Sequence, residues 1–205
     1  MATILDELII AQPIPNGYSW TLASRLGTMI QEMEALYGPR DMSYTILGVE
    51  MKGNGPGNWF PGNCKHVVIQ LGLNALNDPV EACFQLAQEC VHLLTPTGKA
   101  EASVFEEGLT VHFAQKFIRK HFNRPYHTDN PKYVTALGLA SIALNLNPNC
   151  VKSLRSIVPV ISHASPSQLQ QACRGLFEDV AMILAKDFEK WDGTTPPSTH
   201  QNSPA

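Results

Sequence analysis

No stretch of this 205-residue chain concentrates positive charge: 15 Lys and Arg stand against 18 Asp and Glu, a formal net charge of -3. A nucleic-acid footprint needs a basic face to meet phosphates, so no nucleic-acid partner is expected. The amino terminus has no long apolar run behind a cationic flank; Met1 to Ile10 carries Asp6 and Glu7 instead. Neither a secretory signal nor a membrane anchor is visible, so no membrane partner is expected and the expected compartment is the cytosol. Cysteine is sparse, odd in number and without CxxC spacing. Cys64, Cys83, Cys90, Cys150 and Cys173 are therefore expected as buried free thiols rather than a metal knuckle. Cys83 and Cys90 stand seven apart on one helical stretch, about two turns, which is too far for a disulfide within that helix. No internal repeat occurs.

What is present is apolar residue in quantity, 44% of the chain, over a length that suits one domain. Residues 1–191 are expected to form that domain, with a helical C-terminal part from about 130 to 191. Residues 192–205, rich in Thr, Ser, Pro and Asn, are expected as a disordered tail. After an extended lead at Ala11 to Pro15, apolar residues from Leu22 to Leu36 recur at helical spacing until Gly38-Pro39 stops them. Two β-branched and aromatic runs, Ser43 to Glu50 and His66 to Leu71, read as strands joined by a long loop, Gly53 to Asn63, whose Trp59 and Phe60 are expected to pin it to the core. Asp78-Pro79-Val80-Glu81 begins a helix running to about Leu94, and a second helix runs from about Ala102 to Phe122. Asn130-Pro131 opens a helix through Leu144, Asn149 a short one to Ile157, and Ser165-Pro166-Ser167-Gln168 a capped region that Gly175 breaks.

The helix from Asp78 is apolar on most sides and so expected to be buried. Its polar residues Glu81, Gln85, Gln88, Glu89 and His92 fall at offsets of three and four, which stacks them on one face. Such a stripe must be paired, hydrated or bound to something, because each unpaired buried polar atom costs roughly 1 to 3 kcal/mol. It marks either a cavity or a hydrogen-bonded network.

Gln88-Glu89-Cys90-Val91-His92 is one residue away from H-E-x-x-H, in which two histidines a turn apart bind zinc and the glutamate between them is a general base. The next helix carries Phe105-Glu106-Glu107-Gly108-Leu109-Thr110. In these motifs, and over about Val67 to Phe117, the chain resembles the gluzincin metallopeptidases. That resemblance implies an α+β, mostly helical, zincin-like fold: a small antiparallel or mixed sheet packed on an active-site helix, followed by a helical part. It implies His92 and Glu107 as metal ligands, Glu89 as the catalytic base, and His66 to Leu71 as the edge strand that pairs with extended substrate. Gln85 and Gln88 are expected to face the ligand.

Gln88 is the departure, because its amide oxygen is a neutral and weaker zinc ligand than imidazole. Without the cation, Glu89 loses the task of deprotonating a metal-bound water. Of the other histidines, His112 follows Glu107 by five positions, about 500 degrees of helical rotation, and points away from that face. His66 starts a strand, and His121, His127 and His163 are expected in solvent. Three functions stay open. One is a metallopeptidase-like protein that binds a peptide or small polar ligand without cutting it. The others are a metal-dependent peptidase using His92, Glu107 and Gln88 with zinc, and a metal-free acid/base hydrolase using Glu89 and Glu107. A fourth possibility is a purely structural network of His92, Glu89 and Glu107. Substrate and oligomeric state are not legible in the sequence.

Overall fold

Local capping and stop signals set most element boundaries in the computed structural model, which describes residues 8–195 apart from 54, 63 and 100. The lead forms a hairpin, β1 (Pro13–Ile14) against β2 (Gly17–Tyr18). Helix α1 (Leu22–Tyr37) is opened by a capping box between Thr21 and Ser24 and closed at Gly38, whose φ of 91° suits glycine. The sheet strands are β3 (Thr45–Lys52), β4 (Gly57–Trp59) and β5 (His66–Gly72). Helix α2 (Pro79–His92) starts where Asp78 accepts hydrogen bonds from the Val80 and Glu81 amides, with Pro79 just inside. Then come α3 (Val104–Phe122), α4 (Pro131–Leu146, capped by Asn130) and α5 (Cys150–Ile157). Last are α6 (Pro166–Ala172, with a Ser165/Gln168 capping box) and α7 (Glu178–Leu184), separated by Gly175 at a φ of 91°. The class is α+β and mostly helical.

The three-stranded sheet is mixed, in the order β3-β5-β4, with β3 parallel and β4 antiparallel to β5. This corrects two expectations. The segment Gly53 to Asn63 is not all loop, because it contributes β4. And β5 is the central strand rather than an edge, so it has no free side along Val68 to Gln70 for a substrate. Trp59 stays half exposed, at 50%, while Phe60 packs its ring edge-on to Tyr44, centroids 5.8 Å apart.

The residues divide into two compact units, Met1–Ala100 with Thr110–His127, and Glu101–Leu109 with Thr128–Ala205. In the first, β5 turns Val67, Ile69 and Leu71 inward, and α2 packs on the sheet and on α1. Leu26, Met29 and Met33 of α1 and Leu86, Ala87 and Cys90 of α2 are all buried, and the two helices pack on each other. In the second unit α4 packs on α5 and α7, α5 on α6, and α6 on α7. A disulfide joins Cys150 at the start of α5 to Cys173 after α6, Cα atoms 5.5 Å apart. The expectation of five buried free thiols is therefore wrong for three. Two are paired and Cys64 is exposed, and only Cys83 and Cys90 are buried and free. Spacing along one helix gives no information about cysteines that tertiary packing brings together.

Of the expected tail, Pro196–Ala205 lies outside the described residues; Asp192 to Thr195 form a turn in which the Trp191 indole donates to the Thr194 carbonyl. Among the described residues no single helix is long and apolar enough to cross a membrane; α4 and α5 reach that length only as a pair bent by 90°.

Candidate functional site

The polar stripe on α2 divides into two parts with different chemistry. The N-terminal part is a closed network. Buried Gln85 accepts from the Gly72 amide at 2.8 Å and donates to Asn74 at 3.1 Å and to Glu81 at 2.6 Å. Glu81 also accepts from the Asn74 amide and from the Tyr126 hydroxyl, whose ring packs on Phe84 at 4.5 Å. Gln85, expected at the ligand, thus ties the end of β5 and the turn after it to α2. These are the local partners a buried amide needs.

The C-terminal part is the QExxH turn. Gln88 and His92 are half-buried one turn apart on the same face, and Glu89 beside them is buried at 7% exposure. The Glu89 backbone carbonyl accepts from the Asn58 side-chain amide of β4 at 3.1 Å, while the buried Asn58 Oδ1 has no hydrogen-bond partner among the described residues. Among the described residues β4 pairs with β5 alone, so its outer edge lies open next to this turn. Nothing in the sequence marked Asn58 or β4; their contribution depends on strand order. Cys90, in the middle of the motif, is wholly buried, and burial and the nearby Glu34 push its thiol well above the ordinary range, with Arg40 opposing. Burial likewise pushes Cys83 up to about 12, against the pull of Arg25.

Glu106 and Glu107 open α3, in the second unit, and their roles separate. The start of α3 is strapped to the segment before Phe188: the Val104 amide donates to Lys186 and the Phe188 amide to Ala102, each at 2.9 Å. Ser103 caps the helix by accepting from the Glu106 amide at 3.2 Å, and Ser162 bridges the cap, accepting from the Ser103 amide and donating to the buried Glu106 carboxylate. Ser103 to Glu106 is a capping-box sequence with a third residue inserted between its partners. Glu107 is half-buried.

Gly108 has its own reason. A Cβ built there would sit 2.4 Å from the Ala136 carbonyl oxygen and 2.6 Å from the Ala140 Cβ, so only glycine lets α4 pack this close. The Glu-Gly pair of the motif is therefore half explained by helix packing alone.

The remaining histidines are settled by contacts. His112 Nδ1 lies 2.7 Å from the buried Tyr37 hydroxyl, and burial, with Lys116 adding, holds its pKa below the usual imidazole value. His121 corrects the expectation of solvent exposure. It belongs to α3, stacks on Phe117 at 4.2 Å and pairs with Glu32 at 2.8 Å. His66 starts β5 opposite Thr45.

Among the described residues no three His, Cys, Asp or Glu side chains come together as a metal-binding group. Gln88 presents a neutral amide oxygen where H-E-x-x-H has an imidazole. No protein-family model matches the chain, and no curated protein or solved structure matches it.

Proposed function

We propose that this chain is metallopeptidase-like in architecture and binds a peptide or small polar ligand beside α2 without cutting it. The single observation that carries the reading is the QExxH turn itself. A buried carboxylate, Glu89, sits between a half-buried amide and a half-buried imidazole one helical turn apart, next to the open edge of β4. An extended peptide has backbone groups that such an edge pairs with, and alternate side chains that pockets beside it select. Gln88 has a donor and an acceptor for a peptide group, and His92 gives a second polar contact.

Replacing imidazole by an amide at position 88 removes the nitrogen donor that zinc prefers, while leaving a side chain well suited to hydrogen bonding. Glu89 without a bound cation has no acidified water to deprotonate, so peptide hydrolysis by that route is not expected. When zinc is held by a full donor set, it supplies Lewis acidity. Here the protein's own residues supply orientation and hydrogen bonds.

The test is elemental analysis of protein purified without chelator, with a Gln88→His variant in parallel and a peptide-array binding measurement on wild type and His92→Ala. Metal-free wild type, one zinc per chain in Gln88→His, and peptide binding lost in His92→Ala are the expected results. Stoichiometric zinc in wild type with cleavage of the bound peptides replaces the reading with an active hydrolase. No metal in either protein defeats the assignment of Gln88 and His92 to one metal-binding turn.

A further inference from the structure

Strand β4 has few backbone bonds to hold it. Its three residues pair with β5 alone among the described residues, Gly57 with Gln70, Asn58 with Ile69 and Trp59 with Val68. Glycines precede it and Pro61-Gly62 follows, a composition that stiffens nothing on either side. Successive side chains of a strand point to opposite faces. Asn58 stands beside the wholly buried Ile69, so its side chain lies on the inner face, where α2 packs; Trp59 lies on the other face and stays half exposed.

The end of α2 supplies the acceptor. A helix leaves the carbonyls of its last turn without amide partners from the regular ladder. Here the chain tightens as it leaves the helix. The Leu93 amide donates to the Cys90 carbonyl at 3.1 Å and the Leu94 amide to the Val91 carbonyl at 3.0 Å, each three residues back instead of four. In a regular helix Leu93 would have served Glu89. The Glu89 carbonyl takes the Asn58 Nδ2 hydrogen instead, at 3.1 Å, and beyond it the Leu94 carbonyl accepts from the Asp41 amide.

We propose that Asn58 is a positioning residue for the α2 site: its single side-chain bond fixes β4 to the QExxH turn, so that edge and turn meet a ligand as one surface. This rests on the reading of that turn as ligand-binding. The bond reaches the backbone of Glu89, the buried carboxylate residue of the motif, and His92 ends the same helix within the turn that the bond holds. Residue type matters here. Asparagine carries an amide donor on a side chain short enough for the strand to lie against the helix. Leucine, of similar size, has no donor, and aspartate turns a second acceptor toward the carbonyl. Groups that hold a ligating residue in place, without touching the ligand, commonly change affinity by about 10- to 100-fold.

Zinc is the probe, because Gln88→His is expected to bind it. Zinc affinity is measured by chelator competition on Gln88→His with and without Asn58→Leu, beside melting curves of both proteins free of metal. Amide hydrogen exchange is followed by mass spectrometry on full-length wild type, Asn58→Leu and Asn58→Asp, with no metal added. Adding Asn58→Leu is expected to weaken zinc binding about 10-fold or more while Tm stays within about 5 °C. Exchange should quicken about 3- to 10-fold in both Gly57–Trp59 and the stretch from Glu89 to Leu94, and stay unchanged in the second unit. Unchanged zinc affinity overturns the proposal. So does faster exchange in only one of the two segments, or a rise spread evenly over the first unit, which makes Asn58 a general stabiliser. Absence of zinc from Gln88→His defeats the ligand-binding reading of the turn, and exchange alone then decides whether Asn58 couples β4 to α2.

Discussion

Gly108→Ala places one methyl group where α3 passes close against the backbone of α4 in the second unit. The added Cβ lies 2.4 Å from the Ala136 carbonyl oxygen, 2.9 Å from its carbonyl carbon and 2.6 Å from the Ala140 Cβ. Two of those three atoms are backbone, so the strain is not relieved by rotating a side chain; α4 itself has to move. Overpacking of this kind costs about 1 to 3 kcal/mol, and an immovable neighbour puts it toward the upper end. Against this, alanine is favoured over glycine inside a helix by about 1 kcal/mol. The net expectation is destabilisation by about 2 kcal/mol, a fall in Tm of about 4 to 8 °C for a chain of this size. Gly27→Ala is the matched control. It lies on the exposed side of α1 with nothing within 4 Å of its Cβ position. There the propensity gain stands alone, and Tm rises by about 1 to 4 °C. Thermal and urea melts followed by circular dichroism measure both. Gly108→Ala at or above wild-type stability, with Gly27→Ala stabilising as expected, refutes the packing account of the motif glycine.

Gln85→Leu keeps the volume of a buried side chain while stripping the Gly72 amide of its acceptor and Asn74 and Glu81 of a donor; urea melts are expected to show a loss of about 1 to 3 kcal/mol. Replacing Cys150 and Cys173 by serine opens a loop closed over a sequence separation of 23. The lost constraint on the unfolded chain lowers stability by about 3 kcal/mol, and reductant should reproduce the loss in wild type but not in the variant. Glu32 titrates below the usual carboxylate value: burial alone would raise it, but hydrogen bonds from Lys120 and His121 outweigh burial. A lowered folded pKa gives stability that is present above the unfolded value and is lost as pH falls through the folded one. Glu32→Gln should therefore cost under about 1 kcal/mol near neutrality, cost less in high salt, and match wild type once pH is below the folded value.

Much of the chain could be read without tertiary information. Asp78-Pro79, Asn130-Pro131, Ser165 with Gln168, and Gly175 all mark boundaries that the structure keeps, because a cap is a hydrogen bond made within about four residues. The placement of Gln88, Glu89 and His92 on one turn follows just as directly from helical periodicity. That Glu81 and Gln85 belong to a closed network, separate from those three, was not readable. Their partners, Gly72, Asn74 and Tyr126, come from other elements, Tyr126 from 45 residues away. His121 was misjudged for the same reason, since Glu32 and Arg25 lie on another helix.

The sequence by itself determined where helices start and stop and which residues share a helical face, since both depend on contacts within a turn or two. Only the tertiary structure decided that β5 is central with β4 as its open edge, that Cys150 meets Cys173, and that Gly108 is there for the backbone of α4. Each of these joins segments far apart in the chain. Their pairing is selected by how whole surfaces bury against one another, and no local pattern of residue types encodes it.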